Sequence, residues 1–395
     1  MKILVLAWEF PPRIVGGIAR HVAELYPEIV KLGHEIHLIT VEFGSTPKYE
    51  IVEGIHLYRC SVAHGDDFFH WVVNMNNSMG SIGGDLLSKS DDFDLIHAHD
   101  WLVGDAAIAL KNNFKIPILA TIHATEYGRY NGIHNSSQKY INGKENLLAY
   151  EAWRIIVCSQ YMQGEIQRVF DSPADKLDII YNGIRPEKKH HDHKFDRARF
   201  RRRFANDRER IVYYVGRMTH EKGITVLLKA APMILAEMDS KVKFVIIGGG
   251  NTSHLKQLAE SLGIKEQCYF TGFMSDTDLD KFQTIADCAV FPSLYEPFGI
   301  VALESFAARV PVVVSDTGGL SEVVQHNLTG IVTHANDINS LTWGILEVLN
   351  NPAHSQYLVE NAYQSLAERF NWHDLAKQTI SVFEQVKNER SQIEW

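Results

Sequence analysis

No two of the four cysteines, Cys60, Cys158, Cys268 and Cys288, form a C-x-x-C pair. That excludes a zinc knuckle and a dithiol motif, and it implies free thiols in a reducing compartment. No apolar run reaches 18 residues, so no spanning helix is expected. The apolar start Ile3–Ala7 ends before Glu9 and two prolines, too short for a leader, and it reads as a buried strand. Excess positive charge is also missing. The chain carries 39 Lys and Arg against 48 Asp and Glu, a net charge of -9, which argues against nucleic acid as a partner. No G-x-x-x-x-G-K-[ST] loop exists, so a P-loop NTPase is not expected. The nearest dinucleotide fingerprint, Gly248-Gly249-Gly250-Asn251-Thr252-Ser253, has serine at its third glycine position, which speaks against NAD.

What remains is an average globular composition, with 45% hydrophobic and 22% charged residues in 395. Short apolar runs alternate with amphipathic ones, the pattern of parallel α/β units. In the first half, strands are expected at Lys2–Ala7, Glu35–Thr40, Asp94–Ala98, Ile116–Ile122, Arg154–Cys158 and Leu177–Tyr181. In the second half they are expected at Ile211–Val215, Val242–Ile247, Cys268–Thr271, Cys288–Phe291 and Val310–Val314. Between the halves, Arg185–Arg210 holds eleven Lys and Arg against five Asp and Glu, a local balance of +6. Its trio His190, His191 and His193 is accompanied by no carboxylate or cysteine framework, so an exposed linker followed by a basic helix is expected there rather than a metal site. The domains expected are 1–185, a basic linker 186–209, 210–372, and a terminal helix 373–395.

Ligands of doubly wound sheets bind at the carboxyl ends of the strands. After the first strand, Gly16-Gly17 precede a helix whose N–H groups suit a phosphate, or they form a plain turn needing positive φ. After Val215 come Gly216-Arg217 and Glu221-Lys222-Gly223, where guanidinium and ammonium can converge on one diphosphate. After Phe291 comes Glu296-Pro297-Phe298-Gly299-Ile300, with Glu304 on the helix that follows. A carboxylate in that apolar helix requires hydroxyl or N–H partners, and a ribose diol would supply two. The amides of Phe298, Gly299 and Ile300 belong to the helix start. His123 follows another strand and is expected to project into the cleft. Asp100, after His97-Ala98-His99, either caps the next helix or contacts an acceptor. A glycosidase carboxylate pair is the poorer reading of Glu296 and Glu304, since a hydrolase needs no phosphate site.

These residues, with Gly318-Gly319 and Glu322, resemble the group 1 retaining glycosyltransferases of the GT-B fold, which include glycogen and sucrose synthases. The resemblance covers nearly the whole chain. It implies two Rossmann-like doubly wound domains facing a deep cleft, with a helix after Phe370-Asn371-Trp372 crossing back to the first domain. It further implies that Gly16, Gly17, Gly216, Arg217 and Lys222 serve the diphosphate and Glu304 the ribose. The loop Thr271-Gly272-Phe273 would lie near the base, and Gly248 would also belong to the donor site. Glu296 and the Phe298–Ile300 amides would hold the transferred sugar, and His123 would touch it from the other domain.

The chain departs from the pattern at two points. Ile14-Val15 stand where glycogen synthases usually carry a lysine, and Arg185 ends the turn Tyr181-Asn182-Gly183-Ile184 where an aspartate is usual. The expected donor is UDP-glucose, with GDP-mannose, ADP-glucose and UDP-N-acetylglucosamine as alternatives, and no metal is required. The expected acceptor is a glycan or lipid-linked glycan, near Asp100 and Phe68–Asn77. A cytoplasmic enzyme is expected, with possible peripheral contact at the inner membrane face. A sugar-nucleotide epimerase of the same fold is the alternative enzyme, and a non-catalytic nucleotide-binding protein the alternative outside catalysis.

Overall fold

The computed structural model describes residues 1–90, 92–188 and 195–394. The chain divides into two compact units, one of residues 1–183 with 372–395 and the other of residues 184–371. His190, His191 and His193 lie outside the described residues.

The first unit is built on eight strands: β1 Lys2–Leu6, β2 Glu35–Val41, β3 Tyr49–Val52, β4 Ile55–Cys60, β5 Leu95–His99, β6 Ile118–Ile122, β7 Arg154–Val157 and β8 Leu177–Ile179. Their order is β3-β4-β2-β1-β5-β6-β7-β8, parallel except for β3 against β4. Strands β1, β5 and β6 are buried almost residue for residue, because helices cover both faces of a parallel sheet. The hairpin β3–β4 was not foreseen in the sequence. It lies at the sheet edge with alternating burial, and its turn sits at Glu53-Gly54, both at positive φ. The helix Trp372–Ser391 belongs to this unit. Its Leu375, Ala376, Val382, Phe383 and Val386 join the core of β1, β2, β4 and the helix Gly17–Lys31.

The second unit has six parallel strands: β9 Arg210–Val215, β10 Val242–Ile247, β11 Cys268–Gly272, β12 Cys288–Phe291, β13 Val312–Ser315 and β14 Ile331–Thr333. Their order is β11-β10-β9-β12-β13-β14. The two ends of this unit are fastened side by side, with Ile184 N–H donating to the Phe370 carbonyl at 2.9 Å.

The segment expected to be an exposed linker is, over residues 195–209, part of the second unit. Phe204 packs on Phe282 with ring centroids 4.9 Å apart, and Arg201 pairs with Asp287 at 3.1 Å. The aromatics Phe200 and Phe204 explain this, because they bury surface that a solvated linker would leave in water.

In each sheet the strand order reverses once among these parallel neighbours, at β1/β5 and at β9/β12. Such switch points open a crevice at the carboxyl ends of the strands.

Candidate active site

In the second unit, loops after four strands meet at the switch point. Gly216 follows β9, and its N–H donates to Ile247 O at 3.0 Å. Gly248 follows β10, has φ +145°, and comes so near Gly216 that a Cβ would stand 1.8 Å from its carbonyl oxygen. Gly248 N–H donates to Gly272 O at the end of β11, at 2.9 Å. Phe273, next in the chain, is 77% exposed. Gly216, Gly248 and Gly272 therefore form one continuous backbone ledge.

On its other side, Arg217 reaches into solvent and contacts Glu221 at 3.4 Å. The short turn His220–Lys222 leads through Gly223 into the helix Ile224–Glu237. Lys222 Nζ lies 2.8 Å from Glu296 Oε2, and Glu296 also receives the Ser293 hydroxyl at 3.4 Å. The carbonyl of Glu221 accepts from the N–H of Leu294 and of Tyr295, at 2.7 and 3.2 Å. The loops after β9 and β12 are thus stitched together by backbone, with the Lys222–Glu296 ion pair above the stitches. Gly299 precedes the helix Ile300–Ala307, on which Glu304 is buried beside Ser305, whose hydroxyl meets that of Tyr213 at 3.0 Å. Phe298 is buried against Phe370.

In the first unit, the helix Gly17–Lys31 begins after β1. Gly16 has φ -153°, an extended backbone open to any residue, so the positive-φ turn considered for it is absent. A carboxyl group already stands at this helix start. Glu9, buried, accepts the N–H groups of Val15 and Gly16 at 2.6 and 2.9 Å. Burial raises the Glu9 carboxyl, and the N–H bonds from Val15, Gly16 and Ala19 oppose that rise. A phosphate at Gly16-Gly17 would have Glu9 as its neighbour.

Asp100 does not cap the helix after it. It has φ +61°, and its Oδ1 accepts the His123 N–H at 2.7 Å, so it fixes the backbone of the β6 loop instead. Burial pushes its carboxyl up to about 6. His97 and His99 share a face of β5 as expected, but that face is the core. The Tyr26 hydroxyl lies 2.9 Å from His97 Nδ1 and 2.6 Å from His99 Nε2. His123, half-buried, follows β6 and faces His99 at 3.1 Å.

The family model of the group 1 glycosyl transferases matches residues 196–365, and that of glycosyltransferase family 4 matches residues 15–188. An uncharacterized glycosyltransferase of Methanocaldococcus jannaschii is 38% identical, over 97% of this chain and 98% of its own length. The chain belongs to the group 1 glycosyltransferases. A glycogen synthase of Mycobacterium tuberculosis is 32% identical, over 97% of this chain and 94% of its own. Among solved structures, HepE of Anabaena, in complex with UDP-glucose, superposes with a TM-score of 0.77 at 19% identity, covering 98% of this chain and 100% of its own. The fold of this glycosyltransferase is GT-B.

Several residues that shape its first unit were not singled out in the sequence: Glu9, His21, Tyr26 and Asn182. Glu9 alone left a signal, as a carboxylate a few residues ahead of a helix start with no other acid in the first turn. His21 and Asn182 are 161 positions apart yet share a hydrogen bond of 2.7 Å, which no local pattern announces.

Proposed function

We propose that this glycosyltransferase is a retaining, metal-independent hexosyltransferase, with UDP-glucose as donor and a glycan or lipid-linked glycan as acceptor. The observation that carries this reading is the Lys222–Glu296 pair at 2.8 Å, with Arg217 half-exposed at the end of the same strand's loop. Without donor, each charge of that pair neutralises the other. A diphosphate brings negative charge that competes for Lys222, and the Glu296 carboxylate then becomes an acceptor for sugar hydroxyls. Arg217 and Lys222 stabilise the charge growing on the leaving phosphate, a role worth about 2.7–4 kcal/mol per well-placed donor. These two cations do the work a divalent ion does elsewhere.

In the retaining step, the bond from C1 to the phosphate oxygen lengthens first. The acceptor hydroxyl attacks C1 from the same face, and its proton passes to the departing phosphate oxygen. No side chain serves as nucleophile; Glu296 and His123 position the sugar. Glu304 holds the ribose, while Gly248, Gly272 and Phe273 flank the base. The choice of UDP-glucose rests on the UDP-glucose complex of HepE and on the glycogen synthase relative.

The acceptor reading rests on an aromatic group in the first unit. Phe68, half-exposed, stacks on Trp71 at 6.3 Å, and the Arg13 guanidinium lies 5.5 Å from both Trp8 and Trp71. Such faces suit sugar rings.

The test is a thermal-shift screen of UDP-glucose, GDP-mannose, ADP-glucose and UDP-N-acetylglucosamine, followed by donor hydrolysis and transfer assays. Stabilisation and turnover by UDP-glucose are expected. Turnover with GDP-mannose alone would replace the donor, and conversion of the sugar nucleotide without transfer would favour an epimerase.

A further inference from the structure

Three imidazoles from separate elements of the first unit converge. His21 lies on the helix Gly17–Lys31, His99 ends β5 and His123 follows β6. One ring nitrogen from each can be chosen so that all three lie within 4.8 Å of one another. His99 Nδ1 and His123 Nε2 are 3.1 Å apart, and the rings of His21 and His123 are 4.8 Å apart at their centroids.

The remaining ring nitrogens of His21 and His99 are engaged elsewhere. His21 Nδ1 lies 2.7 Å from Asn182 Oδ1, an oxygen that can only accept, so the proton sits on Nδ1 and Nε2 carries a lone pair. That Nε2 is buried and has no hydrogen-bond partner, in a side chain 6% exposed. A buried polar atom left in this way calls for a ligand or for an explanation. His99 Nε2 donates to Tyr26 if Tyr26 donates to His97 Nδ1 and His97 Nε2 donates to Thr121, a contact of 2.7 Å. This direction of the chain leaves a lone pair on His99 Nδ1, aimed at His123. Burial lowers all four histidines, His21 to about 3, so the imidazoles are neutral and able to coordinate.

We propose that His21, His99 and His123 form a binding site for a divalent first-row transition ion, with zinc the best fit. Three neutral imidazoles with one position left to water are a donor set that zinc takes. Tetrahedral bonds of about 2.0–2.1 Å place ligand nitrogens roughly 3.3 Å apart. The His99–His123 pair already stands near that spacing, and small ring rotations bring in His21. Asn182 and Tyr26 hold the outer nitrogens of two ligands, the arrangement that orients histidine toward a metal. Binding of the ion is independent of the transferase reading. Its consequence rests on that reading: with His123 engaged, zinc inhibits transfer rather than supporting it.

The test uses the full chain, stripped with chelator, titrated calorimetrically with zinc chloride and spectroscopically with cobalt(II). One equivalent per chain is expected, with a tetrahedral cobalt spectrum. His21→Ala should weaken binding by at least about a hundredfold, and Asn182→Ala by about 10–100-fold, the usual effect of removing an outer-shell partner. His37→Ala disrupts the other group able to hold an ion among the described residues, Glu35–His37–His56, and should change nothing. Absence of stoichiometric binding by the unaltered chain overturns the proposal whatever the variants do. So does an affinity equal to that of the unaltered chain in both His21→Ala and His123→Ala, or loss of binding in His37→Ala. If His21→Ala does not fold, the cobalt spectrum of the unaltered chain and the Asn182→Ala affinity decide. Thermal shift by UDP-glucose on the zinc-free chain is scored separately, so the donor reading and the metal site fail independently.

Discussion

Gly223 stands so close to Pro292 that a Cβ on the glycine would lie 1.8 Å from the proline's carbonyl oxygen. The contact joins the loop after β9, which carries Arg217 and Lys222, to the loop after β12, which carries Glu296. Gly223 also has φ +65°, a region that costs other residues about 1–2 kcal/mol. Gly223→Ala should therefore part the two loops. We expect a Tm lowered by several degrees and donor binding lost by calorimetry. Gly249→Ala is the control, since a Cβ there meets nothing within 4 Å. Equal behaviour of the two variants would show that the contact positions nothing.

Arg217 is half-exposed and makes one weak ion pair, so its removal should leave the fold intact. Arg217→Ala should lower kcat/KM at least about a hundredfold, roughly 2.7 kcal/mol of transition-state stabilisation. Arg217→Lys should recover part of this, because an ammonium replaces the charge but not the two-pronged geometry. A near-normal Arg217→Ala enzyme removes this side chain from the mechanism.

Transfer should continue in excess EDTA, because the leaving group is met by side-chain cations. Turnover that disappears with chelator and returns with magnesium contradicts this. If zinc occupies the three histidines, the chelated enzyme should be at least as fast as one supplied with zinc.

The buried Asp100 gives a pH signature of definite sign. Its carboxyl is raised from 3.8 to about 6 by burial, so the folded chain binds this proton more tightly than the unfolded chain. The resulting penalty sets in as pH rises between about 4 and 6 and is complete above that. A shift of about two pKa units corresponds to roughly 3 kcal/mol. Asp100→Asn keeps an acceptor for the His123 N–H and removes the penalty. Its Tm should exceed that of the unaltered chain at pH 7.5, and the difference should shrink at pH 4.5. A gain independent of pH would locate the effect elsewhere.

The residues proposed for the site in the second unit could be picked out along the chain, because each part is local. Gly216-Arg217, Lys222-Gly223 and Glu296 each follow a strand within a few residues, where a parallel sheet places its ligands, and Glu304 lies on the helix that comes next. The strand runs β1, β5, β6, β9, β10 and β12 were legible for a related reason: burial on both faces makes them continuously apolar. The edge strands β3 and β14 escaped, since they are short and alternate in burial. In the first unit the same local rule reaches less far. It does not show that Glu9 takes the Val15 and Gly16 N–H groups at the Gly16-Gly17 helix start, or that Asp100 turns from the helix it precedes toward His123.

The sequence by itself determined two doubly wound sheets, their order along the chain, and the cations and carboxylates at the β9 and β12 ends. Periodicity and spacing act over a few residues, and these features need no more. Only the tertiary structure decided that Lys222 lies against Glu296 and that His21, His99 and His123 share one buried pocket with Tyr26 and Asn182. Those contacts join residues 24 to 161 positions apart. Side-chain packing sets such distances, and the protonation of each buried group follows from the neighbours that packing brings.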